Sequence, residues 1–163
     1  AGTYKLPEAQ LDRFLIKTSL GYPDSKTSVA LLMDSASRAR ASLVSPIIGP
    51  DSIVAMAKLA NEVHVDEAVM TYLSNIVEAT RTHRDVVLGV SMRGAMALAR
   101  AIKTWAISQG RTFVTPDDVR ELAPYVLGHR LILDPDAEFA GAKAEDVIAR
   151  ILVDIEPPAY RAA

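Results

Sequence analysis

The sequence of 163 residues contains no cysteine, which excludes a disulfide framework, a thiolate metal site and a cysteine nucleophile. It also lacks any run approaching the roughly 18 uninterrupted apolar residues of a membrane-spanning helix. Residues 1–5 (AGTYK) lack an initiating Met, and no apolar run follows the charge as it would in a signal peptide. We therefore expect the chain to be part of a longer polypeptide.

The sequence also lacks a large excess of either positive or negative charge. The chain has 18 Lys and Arg against 20 Asp and Glu, and the basic residues do not cluster. This balance argues against a nucleic-acid-binding face. The three histidines lie far apart in sequence, without the spacing of zinc ligands.

Half of the residues are apolar, which is enough for a core, and from residue 25 onward their spacing is mostly helical. The pattern predicts helices over residues 25–40, from Asp51, from Asp66, over 91–109, from 115 through 126 and over 144–155. The segment TPDDV (residues 115–119) has the Thr, Pro and acidic residues that favour a helix start. Core-facing stripes are predicted at Val69, Leu73, Ile76, Val77 and Thr80, at Val119, Leu122, Ala123 and Val126, and at Val147, Ile148, Ile151 and Leu152.

Extended structure is predicted in only a few places. Residues 6–14 suggest a short helix, and residues 14–20 suggest a strand that ends at the turn-forming GYPD of residues 21–24. These two elements resemble the last pieces of a sheet-containing domain. Residues 62–65 and 130–133 are further strand candidates that could pair with each other. We expect loops at 81–90 and 134–143.

Two arginines are candidates for phosphate chemistry. Arg93 falls in the first turn of a predicted helix, where the helix dipole disfavours a cation. Together with Ser91 and Gly94 it would form an anion-binding corner, although a solvated Arg near Asp85 fits the same spacing. Spacing alone makes Arg13 an ordinary helix-end cation, paired with Glu8 or Asp12.

Three segments resemble the MoxR family of AAA+ ATPases, and together they span nearly the whole chain. They are residues 2–14 (GTYKLPEAQLDRF), residues 88–95 (LGVSMRGA), and TPDDV at 115–119 followed by LGHRL at 127–131. In the family the first segment follows the sensor-1 strand and contains the arginine finger. The second resembles the sensor-2 segment, and the third closes the lid.

The resemblance implies a mainly α fold, a helical AAA+ lid bundle with a minor β element, preceded by a helix and strand from the end of an α/β core. Residues 1–24 would be the end of the nucleotide-binding core and residues 25–163 the lid. Arg13 would be the arginine finger, acting on a neighbouring subunit. Arg93, with Ser91 and Gly94, would contact the nucleotide phosphates in the same subunit or the adjacent one.

For the whole protein, the resemblance implies a cytoplasmic, Mg-ATP-dependent, ring-forming machine for the chaperone-like maturation of partner proteins, often metal-dependent ones. Two departures from the family pattern stand out. Met92 precedes Arg93 where the family usually has Pro, so we expect a small change in stability. No Gly-x-x-x-x-Gly-Lys-Ser/Thr loop occurs, and the Walker B strand and sensor-1 Asn are also missing. We therefore expect this chain to have no ATPase activity of its own and no tightly bound nucleotide.

Two other classes of function remain. One is a stand-alone helical module that binds a partner helix in an apolar groove. The other is a small DNA-binding domain, because a helix at 115–126 following a long helix resembles helix-turn-helix spacing. The near-neutral charge and the lack of base-reading side chains on that helix count against the second.

Overall fold

The computed structural model describes residues 7–33 and 44–159. Within these residues the chain forms eight α-helices and two short strands. The helices are α1 (Glu8–Leu11), α2 (Ser25–Met33), α3 (Pro50–Glu62), α4 (Glu67–Thr82), α5 (Met92–Ser108), α6 (Pro116–Leu127), α7 (Pro135–Phe139) and α8 (Ala144–Asp154). The strands are β1 (Val86–Leu88) and β2 (Ile132–Leu133), and a 3-10 turn, Gly128–Arg130, follows α6. The mainly helical fold with a minor β element is confirmed.

The core lies between α4, α5, α6 and α8. Helix α5 packs against α3, α4 and α6, while α8 covers α4 and α6. Every member of the three predicted stripes on α4, α6 and α8 is buried, and Ile76, Val119, Ala123, Val126 and Ile148 have no exposed surface. The apolar period of 3.6 residues thus identified the inward faces correctly, because a helix in this bundle can bury only one face.

Helix boundaries follow from local capping. The Asp66 carboxylate accepts a hydrogen bond from the Ala68 amide at 2.7 Å and starts α4, and Ser91 caps α5 by accepting one from the Gly94 amide at 3.2 Å. Gly110, with φ of +73°, follows the end of α5, in the left-handed conformation that glycine adopts without strain. The starts predicted at residues 51, 66, 91 and 115 agree with the structure to within about one residue.

The pairing of the extended segments was predicted wrongly. Strand β2 pairs antiparallel with β1, with Val86 opposite Leu133 and Leu88 opposite Ile132. Residues 62–65 do not pair with it. Instead, His64 forms an isolated parallel bridge with Phe113. The error arose because the charged residues before β1 led us to assign all of 81–90 to a loop, which left β2 without its true partner.

Two further local predictions were wrong. Residues 14–20 form no strand. A backbone hydrogen bond connects them to the bundle, donated by the Lys17 amide to the Tyr125 carbonyl oxygen at 3.0 Å. A strand needs a neighbouring strand for its backbone groups, and none lies beside this segment among the described residues. Residues 134–143 contain α7, which Asp134 caps by accepting from the Asp136 amide.

Helices α2 and α3 are less covered than their sequences suggested. Residues 25–33 of the predicted helix 25–40 are helical, and 34–40 lie outside the described residues. In α3 the apolar residues Ile53, Ala57 and Ala60 share one side at helical spacing, but Ile53 and Ala57 are exposed and Ala60 is the one buried residue of that helix. These two helices therefore contribute little to the core formed by the described residues.

The start of α6 is fixed by a buried carboxylate. Asp118 is 3% exposed and accepts bonds from the Thr115 amide at 2.7 Å and from both terminal nitrogens of Arg111, at 2.8 and 2.5 Å. Burial on its own would raise the pKa of Asp118, but the bonds from Arg111 and Thr115 outweigh it, so the pKa lies below its usual value. The ionised carboxylate thus stabilises the fold.

We expect Asp118→Asn to lower the free energy of unfolding at pH 7 by about 1.5–3 kcal/mol, since it removes charge-assisted hydrogen bonds. A carboxylate whose pKa is depressed by folding stabilises the protein above its unfolded-state pKa and loses that contribution as the pH falls. The wild type should therefore lose stability below about pH 4, and Asp118→Asn should lack this component. Urea unfolding between pH 2 and 7 measures both effects.

The matched control for this experiment is Asp117→Asn, an exposed acid in the same first turn of α6. It should cost only a few tenths of a kcal/mol through the helix dipole. Equal losses in the two variants would contradict the role assigned to Asp118.

Candidate functional site

The candidate site lies where α1, the start of α5 and the 3-10 turn after α6 meet. A cleft of about 600 Å³ opens there, and its lining includes Leu11, Asp12, Leu88, Ser91 and Arg130. The two strands form its other side. The segment that carries Arg13 and the helix end that carries Arg93 are thus adjacent to one cleft, although neither arginine is among its lining residues.

Arg130 connects these elements, and its side chain is 3% exposed. Each of its three nitrogen atoms donates a hydrogen bond to at least one oxygen atom. Nε donates to Asp12 Oδ1 at 3.0 Å, and Nη2 donates to the carbonyl oxygens of Asp12 and Phe14 at 3.2 and 2.7 Å. Nη1 donates to the carbonyl oxygens of Leu15, at 3.4 Å, and Val126, and it also lies 3.0 Å from His129 Nε2. We call this network the Arg130 clamp.

The clamp accounts for a buried charge that would otherwise be very unfavourable. An unpaired buried guanidinium would cost several kcal/mol in lost hydration. Here the Asp12 carboxylate is the counter-ion and four carbonyl oxygens accept the remaining protons. Of the oxygens bound, all but that of Val126 belong to residues 12–15, so this segment is required for the stability of the Arg130 position.

His129 supports the same segment. Its Nε2 atom lies 2.9 Å from the Phe14 carbonyl oxygen. Burial lowers the pKa of His129, and the charges of Arg130 and Lys17 act in the same direction against the opposing effect of the Phe14 bond. The ring is therefore neutral at physiological pH, which avoids a second positive charge beside Arg130.

Arg13 itself is exposed. Its side chain makes no ion pair or hydrogen bond with another described side chain. The Asp12 partner considered from spacing is bonded to Arg130 instead, and the side chain of Glu8, the other partner considered, lies outside those described. Arg13 thus has an exposed side chain on a backbone whose neighbours on both sides are held.

Arg93 is similarly placed. It lies in the first turn of α5, is exposed, and contacts no described acidic side chain, so the considered pairing with Asp85 does not form. Asp85 lies near Arg84 and Arg150 instead, at 3.4 and 3.7 Å. Arg93 is therefore a cation at the positive end of a helix, without an acidic partner among the described residues.

Ser91 and Gly94 both contact other parts of the candidate site, and Ser91 is also exposed to the cleft. The Ser91 hydroxyl caps α5 and also lies 3.3 Å from an Asp12 carboxylate oxygen. Gly94 is buried, and a Cβ added there would lie 2.7 Å from Val90 Cγ1 and 2.8 Å from Arg130 Cδ. The close approach that glycine permits is thus that of the Arg130 side chain.

Asp12 and Arg130 were not singled out by sequence reasoning. Both stand inside the segments that carry the family resemblance, but residue spacing gives no signal that joins positions 118 residues apart. An arginine directly after a histidine at a helix end resembles an ordinary C-terminal cation. Their pairing emerges only from the fold.

Comparisons with known proteins agree with this architecture. The AAA lid domain family matches residues 78–151. The uncharacterized protein YeaC of Bacillus subtilis (strain 168) is 38% identical over 99% of this chain and 51% of its own length. Chaperone MoxR1 of Mycobacterium tuberculosis (strain H37Rv) is 32% identical over 99% of this chain and 45% of its own. The chain spans about half the length of the curated relatives it matches.

A solved structure shows the same fold. The crystal structure of a protein assigned as an ATPase, from Cytophaga hutchinsonii, superposes with a TM-score of 0.85 at 30% identity, covering 98% of this chain and 51% of that one. No described helix is long and apolar enough to cross a membrane. The lid-domain match, the MoxR-type relatives over almost every residue and the superposition lead to one assignment: the chain belongs to the MoxR family of AAA+ proteins.

Proposed function

We propose that this chain works as the end of the nucleotide-binding core (residues 1–24) and the α-helical lid (residues 25–163) of a cytoplasmic, ring-forming ATPase. The observation that carries the proposal is the Arg130 clamp, which holds the segment around Arg13 onto the lid while leaving the Arg13 side chain exposed. An exposed arginine side chain on a fixed backbone is suited to complete the nucleotide site of a neighbouring subunit.

Arg13 is proposed as the arginine finger. Hydrolysis of ATP spreads negative charge over the γ-phosphate oxygens, and a guanidinium beside them accelerates the reaction by about 10³–10⁵-fold. Arg13 is exposed and has no carboxylate partner among the described side chains, so within the described structure its guanidinium is accessible to a neighbouring subunit. This supports action in trans.

Arg93 is proposed as the sensor-2 residue that contacts the nucleotide phosphates. Its place in the first turn of α5 adds the helix dipole to the charge of the guanidinium. Ser91 and Gly94 contribute by fixing the start of α5, the first through its cap and the second through its contact with Arg130. The donor set suits a phosphate group.

The remaining parts of the nucleotide site must come from a P-loop core. Mg-ATP supplies the phosphoryl group whose hydrolysis drives the conformational work. Among the described residues no group of three or more His, Asp or Glu side chains could hold a metal ion. The proposal assigns Mg²⁺ binding to the P-loop core, as in other P-loop ATPases, and phosphate sensing to this chain.

The proposed work is the maturation of partner proteins. The name of the Mycobacterium tuberculosis relative describes it as a chaperone, and magnesium-chelatase subunits match a shorter stretch, for example 34% identity over 106 residues in Chlorobaculum parvum. On this basis we propose a chaperone-like role toward clients that include metal-dependent proteins.

A second candidate is a helical interaction module without nucleotide chemistry. It is favoured by apolar side chains that are more than half exposed on α2 and α3, namely Val29, Leu32, Met33, Ile53, Val54, Met56 and Leu59. One measurement distinguishes the two functions. A polypeptide that contains both Arg13 and a P-loop core hydrolyses ATP if the first function is right and does not if the second is right.

The first test uses the 163-residue chain alone. We expect no release of phosphate from Mg-ATP and no binding in titration calorimetry, because the sequence contains no P-loop. Turnover that persists after repeated purification would contradict the proposal, since it would require a second type of nucleotide site.

The second test uses the longer polypeptide that joins this chain to a P-loop core. Arg13→Ala should lower the kcat for phosphate release by about 10³-fold or more. A subunit with an inactivated P-loop lysine should also be inactive. Mixing the two should restore turnover, because an Arg13→Ala subunit with an intact P-loop then lies beside a neighbour with an intact Arg13.

Lys17→Ala is the control for that mixing experiment, because it removes another exposed cation four positions along the same segment. It should leave phosphate release unchanged. Full activity of Arg13→Ala, or failure of the mixture to recover, would refute action in trans.

The third test concerns Arg93. In the same longer polypeptide, Arg93→Ala should lower kcat/KM for ATP about 10- to 100-fold, the value of one charge-assisted hydrogen bond. Arg100→Ala, an exposed arginine later on α5, is the matched control. Equal losses in both variants would show that general charge, rather than position at the helix start, is responsible.

A further inference from the structure

The Arg130 clamp brackets Arg13 on both sides. Nη2 of Arg130 binds the carbonyl oxygens of Asp12 and Phe14, the residues directly before and after Arg13. The amides of Arg13 and Phe14 donate to Gln10 and Leu11, each at 3.1 Å. The backbone at position 13 is therefore held by a buried side chain from the lid, although its own side chain is exposed.

The clamp also touches the start of α5, which carries Arg93. The Ser91 hydroxyl lies 3.3 Å from one Asp12 carboxylate oxygen, and Gly94 leaves just enough space for Arg130 Cδ. Two separate contacts therefore join the helix end at Arg93 to the residues that hold Arg13. A shift of this helix end would displace Asp12, Arg130 or both.

We propose that Arg130, with Asp12 as its counter-ion, is a positioning residue for Arg13 and couples it to the helix end that carries Arg93. This inference rests on the proposed function and deepens it. Contact with a nucleotide at Arg93 is transmitted through Ser91, Gly94 and the clamp to Arg13. The nucleotide bound by one subunit thereby sets the position of the Arg13 side chain in the site of the neighbouring subunit.

The clamp can transmit a displacement because its hydrogen bonds allow few alternative arrangements of the residues that it joins. All three nitrogen atoms of Arg130 donate hydrogen bonds to residues 12–15 or to Val126, and loss of the Asp12 carboxylate leaves the buried Nε donor unsatisfied. Residues 12–15 therefore move together with Arg130 rather than sliding past it. A flexible tether would hold Arg13 near the lid without fixing where its guanidinium lies.

The first experiment measures the clamp on the 163-residue chain by amide hydrogen exchange. Asp12→Asn should speed exchange of the Phe14 and Lys17 amides about tenfold or more, while amides in the core helices, such as those of Ile76 and Leu98, stay unchanged. Asp51→Asn, an exposed acid in the first turn of α3, is the control and should alter neither group.

The second experiment measures function in the longer polypeptide. Asp12→Asn should lower kcat about 10- to 100-fold, the expected effect of misplacing a catalytic group by about 1 Å, with the KM for ATP unchanged. Gly94→Ala presses on Arg130 from the other side of the clamp and should also lower kcat, and because Gly94 directly follows Arg93 it should raise the KM for ATP as well. It provides a second readout if Asp12→Asn yields little folded protein.

Subunit mixing identifies which site is affected. A subunit with an inactive P-loop lysine should rescue Arg13→Ala neighbours, and the same subunit carrying Asp51→Asn should rescue them equally well. With Asp12→Asn added instead, rescue should fall about 10- to 100-fold, because the finger it offers is misplaced. A purely structural role would weaken a subunit's own site and would not have this signature.

The outcomes separate the two claims. If Arg13→Ala abolishes turnover while Asp12→Asn and Gly94→Ala behave as wild type, the positioning inference is wrong and the proposed function stands. The same conclusion follows if exchange at Phe14 accelerates without any change in kcat. If Arg13→Ala turns over normally, the proposed function itself fails.

Discussion

The described structure depends on the burial of one guanidinium. Arg130 lies at the junction of the 3-10 turn, α1 and the start of α5, and its charge is compatible with that position only because Asp12 and four carbonyl oxygens accept its protons. Three of those carbonyls belong to residues 12–15. The segment that precedes the lid is therefore part of what makes the lid stable. Removal of Asp12 would leave the buried guanidinium without its counter-ion, which destabilises a protein more than replacing both charges by apolar groups.

This constraint explains a feature that the bundle alone does not require. Residues 14–20 expose Phe14, Leu15 and Ile16, each about half accessible, and form no strand, yet they follow a defined path. Hydrophobic burial within the described residues is too small to fix that path. The bonds from Arg130, the contact with His129 and the bond from the Lys17 amide to the Tyr125 carbonyl oxygen determine it instead. Polar contacts that are fully satisfied specify one arrangement more strongly than apolar contacts of the same extent.

Sequence predicted the parts of this structure that are determined locally. The stripes on α4, α6 and α8, the helix starts near Asp66 and Ser91 and the helix end before Gly110 follow from residues within a few positions of one another. It failed where the partner is distant. The β1–β2 pair joins residues 86–88 to 132–133, and Arg130 meets Asp12 across 118 positions. A short strand has almost no periodicity to recognise, and a single ion pair has none, so neither could be found without the fold. The roles of Arg13 and Arg93 came from the family resemblance and remain proposals.

The positions of Ser91 and Gly94 show that the segment around Arg93 has more than one structural role. The sequence suggested that both residues would face a phosphate, because a small residue and a hydroxyl at a helix start commonly do so. In the structure the hydroxyl caps α5 and approaches Asp12, while the missing Cβ of Gly94 accommodates Arg130. Arg93, between them, is left exposed. A segment that resembles a nucleotide sensor thus has one face toward solvent, where a phosphate could bind, and the other toward the residues that hold Arg13. In the proposed function, an anion bound at Arg93 would therefore act on a helix end whose other face contacts Asp12 and Arg130.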